Sequence, residues 1–382
     1  MSPLNSFLRG LRVLDLSRYL PGPLATLLLA DMGAEVLKIE PPSGDDLEGL
    51  GPRGPGGRPV FYEAVNAGKT VLRLDLKAAG DKQLFLDLVP EADVVVEGFR
   101  PGVMQRLNLD CGRLRAINPR LIYCAINGYG ALSPMAQAAA HDNNYLALAG
   151  VLHRNGIGAP VFFDPPVADT SGSLFAMIAI LGALLGRARS GSGCDIDLGL
   201  ADVAMPLQLL QVAGVGATGQ VPGREATYLN GGAAYYRIYR TAGGDHVALG
   251  AVEPKFWRAF CAAAGRPEWV ARQRDAMPQR ELIAEVGAYF SSLTIAECEA
   301  RFALADCCFS PIIDLGAALA TPHVRARGLV RRTAEGDLQA LFPAMLDGAA
   351  PHSRARPRRI SRDEARTAFA ARRHIIGEGG AR

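Results

Sequence analysis

The chain has 382 residues, of which 49% are hydrophobic and 21% charged, values typical of a globular protein with one large domain and a smaller one. The formal net charge of +3 does not indicate a nucleic-acid-binding protein, and it is compatible with an anionic small molecule held by a local basic site. The seven cysteines include no C-x-x-C pair, which argues against a zinc site and favours free thiols in a reducing cytoplasm.

The first 130 residues alternate between short apolar runs and helical segments. Strands are predicted at 11–16, 35–40, 70–75, 93–97 and 121–126, and helices at 24–32, 78–89, 103–107 and 111–117. Repeated strand–helix–strand units predict an α/β domain with a doubly wound, Rossmann-like parallel sheet. The first turn, at residues 21–23, lacks a G-x-G-x-x-G fingerprint and therefore does not support a dinucleotide cofactor.

A long apolar helix is expected around Leu174. Its apolar run, 174–185, is broken by Gly182 and is predicted to be too short to cross a membrane. Residues 1–9 contain no apolar stretch of the kind found in signal peptides. The expectation is therefore a soluble, cytoplasmic protein.

The second half of the chain predicts a smaller α+β domain. Strands are expected at 233–240 and 246–251, followed by helices rich in Arg, Ala and Glu. The basic stretch 354–362 is interpreted as a solvated surface. The predicted organisation is a large domain whose N-terminal part is 1–200, a small domain at 225–310, and a C-terminal segment at 325–382.

Two groups with different acid/base chemistry stand near the predicted long helix. His141 is a candidate general base, because histidine is the usual base near neutral pH. Asp169 directly precedes the apolar run, where an aspartate is expected to be an N-cap and the helix start can stabilise an anion. Each residue alone is more often structural, but together they suit proton removal next to a carbonyl.

Glu253 stands where a strand is predicted to end and a helix to begin, with Pro254 in the first helical turn. Such a glutamate is most often an N-cap, although it can also orient a histidine and keep it basic. Basic residues at or near strand ends are candidates for holding phosphates, because ligands of open α/β sheets bind at the carboxyl ends of the strands. They are Arg18, Lys38, Lys69 and Arg100.

Several sequence blocks together carry a specific resemblance. They cover residues 8–16, 21–23, 29–42, 66–69, 74–77, 96–103 and 118–130. With these blocks the chain resembles the family III CoA-transferase (CaiB/BaiF) superfamily and, within it, the α-methylacyl-CoA racemases, over about residues 8–330. The resemblance implies a Rossmann-like large domain that binds CoA and to which the C-terminal segment 325–382 returns. It also implies a smaller domain between and an interlocked, ring-like homodimer.

The resemblance also implies roles for residues. Transferases of this superfamily use an aspartate at the position of Asp169 as a nucleophile, whereas racemases use it as an acid/base. Racemases add a histidine in a G-H-D-x-N-Y motif and a glutamate in a G-x-x-E-P motif, which residues 140–145 and 250–254 resemble. The implied catalytic residues are His141, Asp169 and Glu253, the last supplied by the partner chain, and Tyr145 joins the basic residues as a substrate or CoA contact.

The predicted activity is a racemase that interconverts R and S 2-methyl-branched acyl-CoA thioesters through an enolate, whose oxygen would accept a hydrogen bond from the N–H of Asp169. The expected partners are acyl-CoA and a second copy of the chain, without a separate cofactor, a metal, nucleic acid or a membrane. Two alternatives stay open, a CoA transferase acting through Asp169 and a non-catalytic CoA-binding protein. The acyl group is not specified by the sequence.

Overall fold

The computed structural model describes residues 3–370 of the chain. They form two compact units, the first comprising residues 3–145, 164–207 and 322–370, the second residues 146–163 and 208–321. The second unit extends beyond the predicted small domain of 225–310 at both ends. The last part of the predicted segment 325–382, from residue 371 onward, lies outside the described residues.

The regular elements of residues 3–370 are as follows. The strands are β1 (Arg12–Asp15), β2 (Glu35–Glu40), β3 (Thr70–Arg73), β4 (Val94–Glu97), β5 (Ile122–Asn127), β6 (Asp195–Gly199), β7 (Tyr236–Arg240), β8 (His246–Gly250), β9 (Phe309–Pro311), β10 (Val330–Arg332), β11 (Leu338–Ala340) and β12 (Arg358–Arg359). The helices are α1 (Pro21–Asp31), α2 (Val60–Asn66), α3 (Ala79–Leu88), α4 (Val103–Leu107), α5 (Cys111–Ile117), α6 (Asp142–Leu148), α7 (Val151–Arg154), α8 (Val167–Ser190), α9 (Ala204–Leu207), α10 (Leu209–Thr218), α11 (Pro254–Ala264), α12 (Trp269–Arg272), α13 (Arg280–Ser291), α14 (Ile295–Phe302), α15 (Leu315–Leu319), α16 (Pro322–Arg327) and α17 (Arg362–Ala370).

The first unit is built on a parallel sheet. Its strands, as far as residues 3–370 show, are ordered β12-β3-β2-β1-β4-β5-β6, and every neighbouring pair is parallel. The order reverses between β1 and β4, which is the topological switch point of a doubly wound sheet. The prediction of a Rossmann-like parallel sheet is therefore confirmed.

The two edge strands were not predicted from the sequence. Strand β6 reads D-I-D-L-G, and its polar alternate residues are exposed, so it lacks the continuous apolar run of the central strands. Strand β12 consists of two arginines whose backbone pairs with β3 in parallel register. Neither strand carries a local signal, because both are defined by the neighbour to which they add.

Helix α8 is the long apolar helix expected around Leu174. It runs for 24 residues and continues through Gly182, the glycine that interrupts the apolar run. By length and composition it is the one helix in the described part of the chain that could span a membrane, with 33% of its apolar window buried. It packs against α1 and β5, as a core helix of an α/β domain does, and core helices pass the same test.

Within the first unit, ion pairs and hydrogen bonds attach the C-terminal segment to the N-terminal part of the chain. Arg354 donates to both carboxylate oxygens of Asp31 on α1, at 2.6 and 2.7 Å, and both side chains are buried. Arg12 on β1 donates to the carbonyls of Ala368 and Phe369 at the end of α17. The stretch 354–362 is thus a row of ion pairs and not merely a solvated surface; the other pairs are Arg356–Asp337, Arg358–Glu364, Arg359–Glu48 and Arg362–Asp81.

The second unit has its own core. Strands β7, β8 and β9 form an antiparallel sheet, and two of them lie close to where the sequence predicted strands. Stacked aromatic rings fill the space between this sheet and helices α11 to α14, with Phe260 in contact with Trp257, Phe290 and Phe302. Such large buried rings supply much of the hydrophobic stabilisation of a unit of this size.

An ion pair is fully buried at the carboxyl ends of the central strands. The ammonium of Lys69 lies 3.1 Å from Asp15 at the end of β1, and it also donates to Thr26, Asn66 and the carbonyl of Pro23. Burial opposes ionisation of Asp15, but the nearby lysine ammonium groups and two hydroxyl donors hold the pKa of Asp15 well below its usual range. Burial lowers the pKa of Lys69 to about 8, against the attraction of Asp15, so the pair is charged at neutral pH. It connects β1, α1 and the start of β3.

Lys69→Met is expected to lower the free energy of unfolding by about 3–5 kcal/mol, because it leaves the buried carboxylate of Asp15 without its cation. Chemical denaturation measures the loss. Lys77→Met, at an exposed lysine nearby, is the control and should change stability by less than about 0.5 kcal/mol. Adding Asp15→Asn to Lys69→Met should recover part of the loss. If Lys69→Met were as stable as the control Lys77→Met, the interpretation would be contradicted.

Candidate active site

His141 lies immediately before helix α6. Its backbone N–H donates to the side-chain oxygen of Asn144 at 3.1 Å, and the N–H of Asn144 donates back to the carbonyl of His141 at 2.8 Å. This reciprocal pair fixes the helix start in the manner of a capping box. The imidazole is exposed, so its position is set by the backbone while its nitrogens stay accessible to a ligand.

Asp169 is the third residue of helix α8 and not its N-cap. The helix begins at Val167, and Pro166 occupies the cap position without a side-chain hydrogen bond. The predicted capping role of Asp169 is therefore wrong. Its backbone N–H donates to Oδ1 of Asp142 at 3.0 Å, so the amide expected to bind the thioester oxygen already has an acceptor.

Asp142 is the functional residue that the sequence reasoning missed. It is the first residue of α6, its side chain is buried, and its carboxylate joins the start of α6 to the start of α8. The resemblance placed it between two named residues, His141 and Tyr145. Its contact depends on the approach of two helix starts that are separated by more than twenty residues in the chain, so no local pattern shows it.

Asp169 holds its proton more tightly than an ordinary aspartate. Burial is the main cause, the neighbouring carboxylate of Asp142 adds to it, and His141 opposes both, so that the pKa of Asp169 rises to about 6. His141, Asp142 and Asp169 are therefore close enough to influence one another. A carboxyl group with a pKa near neutrality, next to an exposed imidazole, can donate or accept a proton at physiological pH.

Tyr145 contacts the loop that leads into His141. Its hydroxyl donates to the carbonyl of Ala140 at 3.1 Å, and its ring meets Tyr129 edge to face, with 5.4 Å between ring centroids. The side chain is buried. In this structure Tyr145 holds the loop that carries His141, and its hydroxyl already has a partner.

Glu253 belongs to the second unit. As predicted, a strand ends just before it and a helix begins just after it, since β8 ends at Gly250 and α11 begins at Pro254. Glu253 occupies the cap position, but its side chain makes no cap hydrogen bond and is exposed. Its carboxylate is thus left unused by the helix start.

The four predicted phosphate contacts divide into two pairs. Lys38 and Lys69 are completely buried; Lys38 pairs with Asp45 at 2.9 Å and donates to the carbonyl of Ser17 at 2.8 Å. Neither ammonium faces solvent, so the structure gives both a structural position instead of a ligand-facing one. Arg18 and Arg100 do reach solvent, and they follow β1 and β4, on the two sides of the switch point.

Arg18 is held in place by two contacts. Its guanidinium lies 5.2 Å from the ring centroid of Phe99, in a cation–π contact, and 3.2 Å from the carboxylate of Asp46. Strands β1 and β4 are neighbours, so the loops that follow them meet at the carboxyl edge of the sheet. Ligands of open α/β sheets bind at this place.

Comparison with known proteins gives a consistent result. The family model for CoA-transferase family III matches residues 8–363. An acyl-CoA transferase of Fusarium pseudograminearum (strain CS3096) is 34% identical over 371 residues, covering 89% of this chain and 79% of that protein. An alpha-methylacyl-CoA racemase of Mus musculus is 33% identical over 326 residues, covering 84% of this chain and 81% of that protein.

The fold agrees with the sequence match. The crystal structure of a CAIB/BAIF family protein from Brucella suis is 28% identical and has a TM-score of 0.81, covering 95% of this chain and 98% of that one. The chain belongs to CoA-transferase family III. Superfamily members are enzymes, racemases or CoA-transferases, and relatives of this family III chain carry both names. Membership therefore gives the enzyme class and leaves the reaction to the site.

Asp169→Asn is expected to stabilise the protein at high pH only. The folded protein binds this proton more tightly than the unfolded chain, whose pKa is near 3.8, so ionisation of Asp169 costs stability as the pH rises from about 4 to about 6. The variant should be more stable than the parent by roughly 1–3 kcal/mol at pH 8 and equally stable at pH 4. Denaturation at both pH values measures this.

The matched control is Asp164→Asn, at an exposed aspartate in the approach to α8. It should leave the stability unchanged at both pH values. A stability gain of Asp169→Asn that is the same at pH 4 and pH 8 would show that Asp169 is ionised normally in the folded protein.

Proposed function

We propose that this family III chain is a racemase that interconverts R and S 2-methyl-branched acyl-CoA thioesters. The observation that carries the proposal is the meeting of an exposed histidine, His141, with a carboxyl group, Asp169, whose pKa is raised to about 6. Two different acid/base groups at one site are what exchange of a proton between two faces of a carbon requires. Relatives named alpha-methylacyl-CoA racemase support the substrate class.

The proton transfers balance within the site. His141 takes the α-proton from one face, and the electron pair of the broken C–H bond moves into the thioester carbonyl to give an enolate. Protonated Asp169 then gives its proton to the opposite face, which leaves a histidinium and an aspartate; the reverse reaction restores both. Glu253, supplied by the partner chain, would keep the imidazole basic.

The enolate oxygen needs a donor other than the N–H of Asp169, because Asp142 accepts from that group. The backbone amides of Val167 and Ala168, in the first turn of α8, have no acceptor among residues 3–370. Ala168 is completely buried, so we assign the oxyanion contact to the amide of Val167. A helix start concentrates positive potential there, so a developing anion is stabilised.

CoA is proposed to bind at the switch point of the sheet. The loops after β1 and β4 present Arg18 and Arg100 on its two sides. Lys38 holds the first of these loops through the carbonyl of Ser17. The buried lysines thus contribute to the CoA site by fixing its backbone, and we place the exposed arginines at the phosphates.

No separate cofactor is proposed. All seven cysteines lie in the described part of the chain and are free thiols, which supports a cytoplasmic location.

The test uses one enantiomer of a 2-methylacyl-CoA in deuterated water without any carboxylic acid acceptor. Deuterium at the α-carbon together with loss of enantiomeric purity is the expected result. His141→Ala should lose exchange from one enantiomer by about 10²–10⁴-fold and from the other less, because the two bases serve opposite faces. His153→Ala, at an exposed histidine on α7, should keep the parent rate.

A CoA transferase acting through Asp169 as a nucleophile is the second candidate, favoured by relatives with that name, including an acetyl-CoA:oxalate CoA-transferase of Acetobacter aceti. It requires an acceptor acid and forms an anhydride that hydroxylamine traps. No exchange in deuterated water, followed by CoA transfer once an acid is added, would reject the racemase in favour of this candidate.

We further propose that the enzyme is a homodimer whose subunits cover apolar surface on each other. Leu174, Ile178 and Leu185 lie on one face of α8 and are 47%, 57% and 71% exposed. On α10 of the second unit, Leu209 and Leu210 are each 65% exposed. Exposed apolar surface of this kind marks an interface, and its occupant here is a second copy of the chain.

Ile178→Asp combined with Leu185→Asp is expected to give a monomer in sedimentation analysis and to abolish racemisation, because two charges would be buried without partners in the interface. Leu304→Asp changes a leucine that is fully exposed, and it should leave both the dimer and the activity intact. An active monomer would show that the site needs no partner chain.

A further inference from the structure

Glu97 is a buried carboxylate that the proposed reaction does not use. It is the last residue of β4, next to β1 at the switch point, and only 6% of it is exposed. A buried carboxylate costs stability unless its charge is compensated. A buried carboxylate beside a proposed ligand site therefore suggests a role in binding that ligand.

Each oxygen of Glu97 accepts one hydrogen bond. Oε2 accepts from the backbone N–H of Phe99 at 2.7 Å, and Oε1 accepts from the hydroxyl of Tyr123 on β5 at 3.3 Å. The first bond fixes the turn by which the chain leaves β4. The ring of Phe99 in turn lies under the guanidinium of Arg18. A single carboxylate thus positions the loop after β4 and, through one ring, the arginine after β1.

The surroundings of Glu97 favour its neutral form. Burial has the largest effect and raises the pKa of Glu97 to about 7, with Asp195 and Asp197 on β6 adding repulsion, while the two hydrogen bonds oppose the rise. Cys124 on β5 pairs with Val96 and so lies on the opposite face of the sheet, and Cys111 on α5 is near enough to Tyr123 to influence it electrostatically. The group therefore changes charge within the physiological range.

Protonation weakens the contact that matters for the loop. Tyr123 can rotate its hydroxyl to accept the new proton on Oε1, so the neutral acid is accommodated on that side. The hydrogen bond from the N–H of Phe99 to Oε2 is then one between neutral groups. Hydrogen bonds between neutral groups are roughly half as strong as those to a charged acceptor. The turn at residues 98–102 and the arginine above Phe99 lose part of their restraint.

We propose that Glu97 is a positioning residue of the CoA site, which in its ionised form holds the turn at residues 98–102 and Arg18 ready for CoA, so that binding weakens when Glu97 takes up a proton. This inference rests on the proposed acyl-CoA function. It assigns a pH dependence to substrate binding that is separate from the proton transfers of His141 and Asp169.

The experiment measures the affinity of the full-length protein for free CoA by calorimetry between pH 5.5 and 8.5. The parent should bind about tenfold more tightly at high pH, with the change centred near pH 7. Glu97→Gln has the same shape but no charge, so it should bind about as well as the parent at pH 5.5 and about tenfold more weakly than the parent at pH 8.5. The phosphate of CoA also ionises in this pH range, but it does so with both proteins. The difference in affinity between the parent and Glu97→Gln at each pH therefore reports on Glu97.

Tyr123→Phe supplies a readout that a merely structural role would not change. Removing the hydroxyl donor takes away a contact that favours the ionised carboxylate, so the pH at the midpoint of the binding change should move upward. In steady-state kinetics Glu97→Gln should raise KM for the acyl-CoA at pH 8 with little change in kcat, whereas Asp169→Asn should lower kcat.

Two results would overturn the proposal. One is Glu97→Gln keeping the pH dependence of the parent. The other is Glu97→Gln binding CoA more tightly than the parent at pH 8, as expected if the carboxylate only repels the phosphates. If Glu97→Gln does not fold, an unchanged midpoint in Tyr123→Phe overturns it equally. Failure of the parent to bind CoA at any pH would instead remove the proposed acyl-CoA function, and this inference with it.

Discussion

The fully buried ion pair of Lys69 with Asp15 is the constraint on which the ligand edge of the sheet depends. It joins the end of β1 to the start of β3 and to helix α1, while Lys38 holds the adjoining loop through the carbonyl of Ser17. Two ammonium groups in a dry sheet edge are costly unless every donor finds an acceptor. Lys69 contacts four acceptor oxygens, and Lys38 donates to the carbonyl of Ser17 and pairs with Asp45. These contacts fix the backbone at the switch point and give the arginines above it a rigid support.

The candidate catalytic cluster follows a different principle, the approach of like charges. The start of α6 brings the buried carboxylate of Asp142 to the start of α8, where it accepts from the N–H of Asp169. The helix start and this hydrogen bond stabilise one negative charge, and the second is disfavoured by burial and repulsion. The result is one carboxylate that is used structurally and one carboxyl group that exchanges its proton near neutral pH, which a racemase can use.

Glu97 shows the same balance at the other side of the site. Its ionised form carries a cost in stability, yet it also makes the stronger bond to the backbone of Phe99. Substrate binding and proton transfer are thereby assigned to separate groups, since the pKa of Glu97 is raised to about 7 and that of Asp169 to about 6. The two are then distinguishable in KM and kcat.

The sequence by itself determined the central strands, the strand–helix junction at Glu253 and the candidates His141 and Asp169, because apolar periodicity and motif spacing are local properties. Tertiary structure decided what depends on neighbours distant in the chain. The edge strands β6 and β12 exist only through pairing with β5 and β3. Lys38 in β2 and Lys69 just before β3 turn inward because aspartates from other parts of the chain pair with them there. The acceptor on the Asp169 amide came from α6, since two helix starts meet only after folding.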